Sequence, residues 1–384
     1  MEACQPILNT GLRGFKVATT NISDVDGTAG RLIYRGYLVQ DLAGKVSFEE
    51  VAHLLLYERL PRKEELESFK RQLVRERQIP PEVIAALETR PKDALSMDVL
   101  QAAVAMLAHH DPDTRAYSPE ATLRMGVKLI AKFPTIVAAW ERIRNNKTPV
   151  APDPDLSHAA NFLYMLNGEI PDDELAGFFD TCLVLHAEHS FNVASTRAHI
   201  YAAVVAGVGS LSGELHGGAN TRVMEMLLDI DDVDRVEAYV NNLFDTGGKI
   251  MGMGHAVYKT DDPRAHILAP MSRKMGERTG ESKWYELSKI LEKKGKEVFK
   301  QRKGRDIYVN VDFYSASLYY YMGIPVDLFT PLFAMARISG WAAHVIEEQF
   351  GGAASKPVLY RPDSEYIGDY CGPDQCAFVP MEER

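Results

Sequence analysis

Apolar residues recur along most of this chain at the spacing of helices that turn one face inward. The opening is the exception. Within residues 16–40, VATTNISDVDG and RLIYRGYLV flank the turn dipeptide Asp26-Gly27, which predicts a β hairpin. Ser47 and Glu50 then make a capping-box pattern ahead of VAHLLLYERL. Pro61 suits a first helical turn, and EELESFKRQLVRERQ carries mixed charge for an exposed face. SMDVLQAAVAMLAHH (96–110) is apolar nearly all round and predicts a buried helix. SPEATLRMGVKLIAKF (118–133) predicts a helix broken or kinked by Pro134 before TIVAAWERIR. LSHAANFLYMLNG should end at Gly168, and a helix through HAEH should begin near Pro171. Residues 194–211, rich in Ala, Val and Gly, predict a central or interface helix. Residues 221–300 are more charged, as in a smaller domain. Residues 322–350 return to the apolar style, with a helix over 330–349, and the tail 351–384 reads as irregular with a short strand-like YIG/CAFV piece.

The 384 residues suffice for two or three domains and a large core. Apolar residues make up 46% and charged residues 25%, ordinary values for a water-soluble globular chain. The net charge of −10 argues against nucleic-acid binding as the main role. No run of about 18 apolar residues occurs, and MEACQPILNTGLRGF has no apolar signal region, so no membrane span or secretion is expected. Cys4, Cys182, Cys371 and Cys376 form neither a disulfide framework nor a CxxC pair, which fits a reducing cytoplasm.

Candidate chemistry gathers in residues 247–264, GGKIMGMGHAVYKTDDPR. Glycines there let the backbone approach a bulky charged ligand. His255 offers a proton donor or acceptor near neutral pH, and Arg264 a planar fork for a carboxylate. His216, in LHGGAN, projects from a second glycine turn; its plainer reading is a turn histidine bonded to backbone. Asp312 lies among Val311, Phe313 and Tyr314, where desolvation should raise its pKa toward that of a general base. It reads equally as a helix N-cap or a surface turn residue. His186 and His189 are three apart and are expected on one helix face. HAEH lacks the zincin spacing HExxH, so no metal is expected; one histidine should serve as an anion donor and the other as a core residue. Arg337 interrupts an apolar helix, so it is half of an ion pair or a ligand for a substrate carboxylate. Arg361, in the irregular tail, reads by default as solvated.

These residues resemble the citrate synthase family, in its short form. LHGGAN, MGMGHAVYKTDDPRA and NVDFYSA stand in the family's order, joined by HAEHSFNVAST and ARISGW. The likeness runs from Asp26-Gly27 to RPDSEYIG. It implies a mainly α, two-domain, multi-helical fold: a large, dimerising domain from residues 1–218 and 324–384, and a small domain, 219–323, closing over the active site. It implies condensation of acetyl-CoA with oxaloacetate, then hydrolysis of citryl-CoA to citrate and CoA. Asp312 would be the base, His216 the hydrogen-bond donor to the thioester oxygen, and His255 the acid at the oxaloacetate carbonyl. His189, Arg264, Arg337 and Arg361 would hold the substrate carboxylates, with Arg361 reaching the partner subunit's site. Lys259, Arg305, Met251, Gly252 and Gly254 would contact CoA. No metal or cofactor is implied, and a cytoplasmic homodimer is. Alternatives are a 2-methylcitrate synthase using propionyl-CoA, or an inactive acyl-CoA binder on the same scaffold. Departures are visible, among them the tail between Cys371 and Cys376, which is unlike that of relatives. Ala256 stands where many short-form relatives have arginine. Val309 stands where relatives often have proline, a change expected to loosen the turn before Asp312.

Overall fold

The computed structural model describes residues 16, 18–189, 197–213, 217–255, 257–351 and 381–383. His216, Arg361, Ala256, Cys4, Cys371, Cys376 and the YIG/CAFV piece of the tail lie outside the described residues.

The hairpin forms, with a four-residue turn. β1 (Ser23–Asp26) pairs antiparallel with β2 (Arg31–Tyr34), which pairs with β3 (Tyr37–Leu38). Asp26 holds the turn, its carboxylate accepting from the amides of Thr28 and Ala29 and from Arg31.

All other regular structure described is helical. The order is α1 (Val39–Leu42), α2 (Phe48–Tyr57), α3 (Lys63–Glu76), α4 (Pro81–Glu88), α5 (Ser96–Leu107), α6 (Pro119–Arg144), α7 (His158–Asn167) and α8 (Asp173–His186). Then come α9 (Ile200–Ser212), α10 (Ala219–Ile230), α11 (Val236–Asp245), α12 (Pro263–Thr279), α13 (Lys283–Lys303), α14 (Val311–Tyr321) and α15 (Phe329–Phe350), with short 3₁₀ turns between some of them.

Local chemistry accounts for the ends. Ser47 and Glu50 complete the capping box of α2. Gly168 closes α7 at φ +86°, a conformation that favours glycine. The cap of α8 is Asp172, whose side chain accepts from Glu174 and Leu175, so Pro171 lies just outside. Pro134 does not break its helix: α6 runs unbroken through it. Phe133, Pro134, Thr135, Ile136 and Val137 are all buried, and packing on every side holds the turn that a proline would otherwise open.

The pillar of the fold is α15, buried along nearly its whole length against α2, α6, α8 and α9. Gly207 lets α9 sit close to it, since a Cβ there would be 3.3 Å from the Trp341 ring. The layer made by α10 to α14 follows in sequence. Its two crossings to the pillar lie side by side: Thr330 donates to the Gly217 carbonyl, Asn220 to Phe329, and Thr221 to Val326.

Candidate active site

Tyr308-Val309-Asn310 is the junction that organises the site. On one edge it pairs with the glycine turn: Gly254 N–H donates to the Tyr308 carbonyl (2.7 Å) and Asn310 N–H to that of Gly252 (2.9 Å). On the other edge Asp262 N–H donates to the Val309 carbonyl (3.0 Å), and Val309 N–H to Asp261 Oδ1 (3.0 Å). The turn before Asp312 is therefore anchored, not loosened, because valine keeps an amide hydrogen that proline lacks. Asn310 then caps α14, accepting from Asp312 N–H while its Nδ2 donates to the Gly254 carbonyl (3.0 Å). Two stretches remote in sequence, 252–264 and 308–312, thus deliver His255, Arg264 and Asp312 to one place. Gly252 (φ +74°) is required there, since a Cβ would stand 2.7 Å from Val223 and 3.0 Å from the Phe313 backbone.

Arg264 is 2% exposed and paired with fully buried Asp262, Nε to Oδ1 at 3.0 Å and Nη2 to Oδ2 at 2.7 Å. Burial opposes both charges, yet each keeps the other ionised: the carboxyl falls below its ordinary range and the guanidinium rises above its own. Nη1 of Arg264 has no partner among the described residues. Arg337 is also buried. Its Nε donates to the His186 carbonyl (3.0 Å), its guanidinium carbon lies 4.6 Å from the Phe333 ring centroid, and Nη2 has no partner among the described residues.

His186 and His189 do not share a helix face. The chain leaves α8 at His186 because α15 captures the terminal carbonyls: Arg337 takes that of His186, and Gly340 N–H that of Ala187 (3.2 Å). His186 is a core residue with Nδ1 on the Cys182 carbonyl, whereas the buried Nε2 of His189 has no partner among the described residues. Burial, then Arg264 and Arg337, press the pKa of His189 far down. Behind it, buried Glu188 accepts from Ser23 (2.9 Å) and His344 (3.0 Å).

The His255 ring lies 5.3 Å from that of His189 and 4.6 Å from that of Tyr258. Its Nδ1 accepts two backbone N–H groups, from Val257 and Tyr258, each at 3.0 Å. Nδ1 is therefore unprotonated, and the neutral ring carries its hydrogen on Nε2. Burial, with Arg264 adding, lowers its pKa to about 4. Burial raises Asp312 instead, to about 6, with Arg264 and Arg337 restraining the rise. The site thus combines a carboxylate poised as a base, a neutral imidazole donor, and buried cationic donors free to meet an anion.

The family described as "Citrate synthase, C-terminal domain" matches residues 11–363. The chain belongs to the citrate synthase family. A citrate synthase of Haloferax volcanii is 42% identical over 98% of this chain and 99% of its own. A 2-methylcitrate synthase of Shewanella oneidensis is 34% identical, over 96% and 97%. The Thermoplasma acidophilum citrate synthase, solved as a ternary complex with carboxymethyl coenzyme A and oxaloacetate, superposes with a TM-score of 0.90 at 30% identity, covering 98% of this chain and all of that one.

Among the family residues named from sequence, His189, His255, Arg264, Asp312 and Arg337 come together. Arg305 lies apart, on a cavity of about 350 Å³ with Phe244, Ile250, Met253, Phe299 and Lys303. Its guanidinium sits 5.5 Å from the Phe299 ring centroid. Lys259, Met251, Gly252 and Gly254 do not line that cavity. Lys259 is exposed, and its backbone N–H donates to the Gly27 carbonyl (2.8 Å). Sequence reasoning missed Asp262 and Tyr258. The signal for Asp262 was present: an Asp-Pro pair opening a helix two residues before an arginine that the same carboxylate can reach.

Proposed function

We propose that the protein is a citrate synthase, joining acetyl-CoA to oxaloacetate and hydrolysing citryl-CoA. One observation carries this reading: buried donors on His189, Arg264 and Arg337 lack partners among the described residues, beside a carboxylate raised to about 6. Such donors suit a dicarboxylate, and such a base suits a weakly acidic C–H. Asp312 removes a proton from the acetyl methyl group. His216 donates to the thioester oxygen as enolate charge develops. His255, through Nε2–H, polarises and protonates the oxaloacetate carbonyl as the carbon–carbon bond forms. The cavity beside Arg305 and Lys303 supplies cations and aromatic surface for CoA.

The working unit we propose is a cytoplasmic homodimer. Exposed alanines Ala102 and Ala105 on α5 and Ala202 and Ala206 on α9, two helices packed together, offer a close-approach face for a second copy. Arg361 would then complete the partner's carboxylate site. Residues 219–323 form the small domain, whose closure excludes water; the paired crossings at 217–221 and 326–330 fit that division.

The test is CoA release in the presence of oxaloacetate, comparing acetyl-CoA with propionyl-CoA by kcat/KM. A strong acetyl preference is expected. A propionyl preference moves the protein to 2-methylcitrate synthesis with the residue roles intact. Release with neither, despite oxaloacetate binding, overturns the catalytic assignment.

A further inference from the structure

Asp261 belongs to none of the groups assigned above, yet it ties three segments of the site together. Its Oδ1 accepts the Val309 amide at 3.0 Å, and Lys296 of α13 reaches both of its oxygens, at 2.9 and 3.0 Å. Lys296 also holds Glu292 (2.8 Å), which accepts from the Tyr314 hydroxyl on α14, two residues past Asp312. Between these two anchors, Gly295 brings α13 against the glycine turn; a Cβ there would lie 2.7 Å from Ile250 and 2.9 Å from Met253. Val309 is the residue whose neighbours pair with the His255 turn and whose carbonyl receives Asp262 N–H. Its own amide hydrogen has one acceptor among the described residues, and that acceptor is a side chain.

We propose that Asp261 is a positioning residue for the condensation, acting through the Val309 amide to fix the lead-in to Asp312, with Lys296 holding its carboxylate in place. The inference rests on the role proposed for Asp312. A purely stabilising role fits poorly. Asp261 and Lys296 keep 20% and 31% of their side-chain surface exposed, and pairs that open contribute little to stability. Their geometry matters through what they orient: a small displacement of a reacting group lowers turnover sharply.

Asp261→Ala should lower kcat about 10- to 100-fold while the melting temperature stays within about 3 °C of the parent. Asp261→Asn keeps an acceptor oxygen and should stay within about fivefold of the parent kcat. In a Val309→Pro background there is no amide hydrogen to hold, so adding Asp261→Ala should change kcat by less than about twofold. An Asn variant as slow as the Ala variant, or a full Ala effect in the proline background, overturns the route through the amide. An unchanged kcat in Asp261→Ala overturns the proposal outright. Asp312→Asn is the control. If it is inactive while Asp261→Ala is fully active, this inference alone fails; if it condenses normally, the role of Asp312 fails as well.

Discussion

Asp262 occupies two donors of the Arg264 guanidinium and leaves Nη1 without a partner among the described residues. The pair is a clamp with one free prong. Its buried charges persist because each offsets the desolvation of the other. Asp262→Asn should weaken oxaloacetate binding at least tenfold and cost about 3–5 kcal/mol of stability, since it strands a buried guanidinium. Calorimetric titration with oxaloacetate and thermal unfolding check both. Unchanged affinity would show that Arg264 needs no orienting partner.

Arg337 uses Nε on the His186 carbonyl and rests on Phe333, with Nη2 unpartnered among the described residues. Lysine cannot make both contacts at once. Arg337→Lys should therefore raise the KM for oxaloacetate about 10- to 100-fold, with a smaller change in that for acetyl-CoA. Steady-state kinetics with each substrate varied decides the point; equal effects on both would contradict a carboxylate role.

Activity should fall on the acid side with an apparent pKa of about 6, because Asp312 acts as a base only when ionised. His255, lowered to about 4, stays neutral through the working range and adds no limb above pH 5. The stability effects run in opposite directions. Asp312 binds a proton more readily folded than unfolded, so its contribution declines as pH rises from about 4 to about 6. His255 binds one less readily folded, so its contribution is lost as pH falls from about 6.5 to about 4. A kcat/KM profile between pH 5 and 8 tests the first claim. Comparing melting curves of Asp312→Asn and the parent over pH 4–7 tests the second: the parent's advantage should shrink as pH rises.

The β1–β2 turn reaches the loop that follows His255. A Cβ on Gly27 would lie 2.1 Å from the Val257 carbonyl oxygen, and the Gly27 carbonyl accepts Lys259 N–H. Gly27→Ala should displace residues 257–259, in which the Val257 and Tyr258 amides hold the His255 tautomer, and lower kcat/KM at least tenfold. Gly36→Ala, where a Cβ meets nothing within 4 Å but φ is +91°, controls for backbone strain alone. Equal losses in the two variants would remove the steric explanation.

Much of this arrangement was legible in the residues. Helix spacing, Ser47–Glu50, Gly168 and the Asp26-Gly27 turn are signals local to a few residues, and a local signal survives folding unchanged. Family motifs named His255, Asp312, Arg264, Arg337 and His189 because each sits in a short pattern. What lay beyond reach involved partners far along the chain. Pro134 signals a break, but packing around the buried turn 133–137 outweighs its lost hydrogen bond. The HAEH spacing places two histidines on one face, until α15 takes the carbonyls that would have continued α8. Val309 reads as a missing proline; only the fold supplies Asp261, 48 residues earlier, to receive its amide. The pKa values of Asp312 and His255 depend in the same way on burial and on arginines brought near by tertiary contact. Sequence alone determined which groups carry the chemistry. Tertiary structure decided their protonation, tautomer and orientation, because those depend on the field and hydrogen bonds of residues that no local spacing connects.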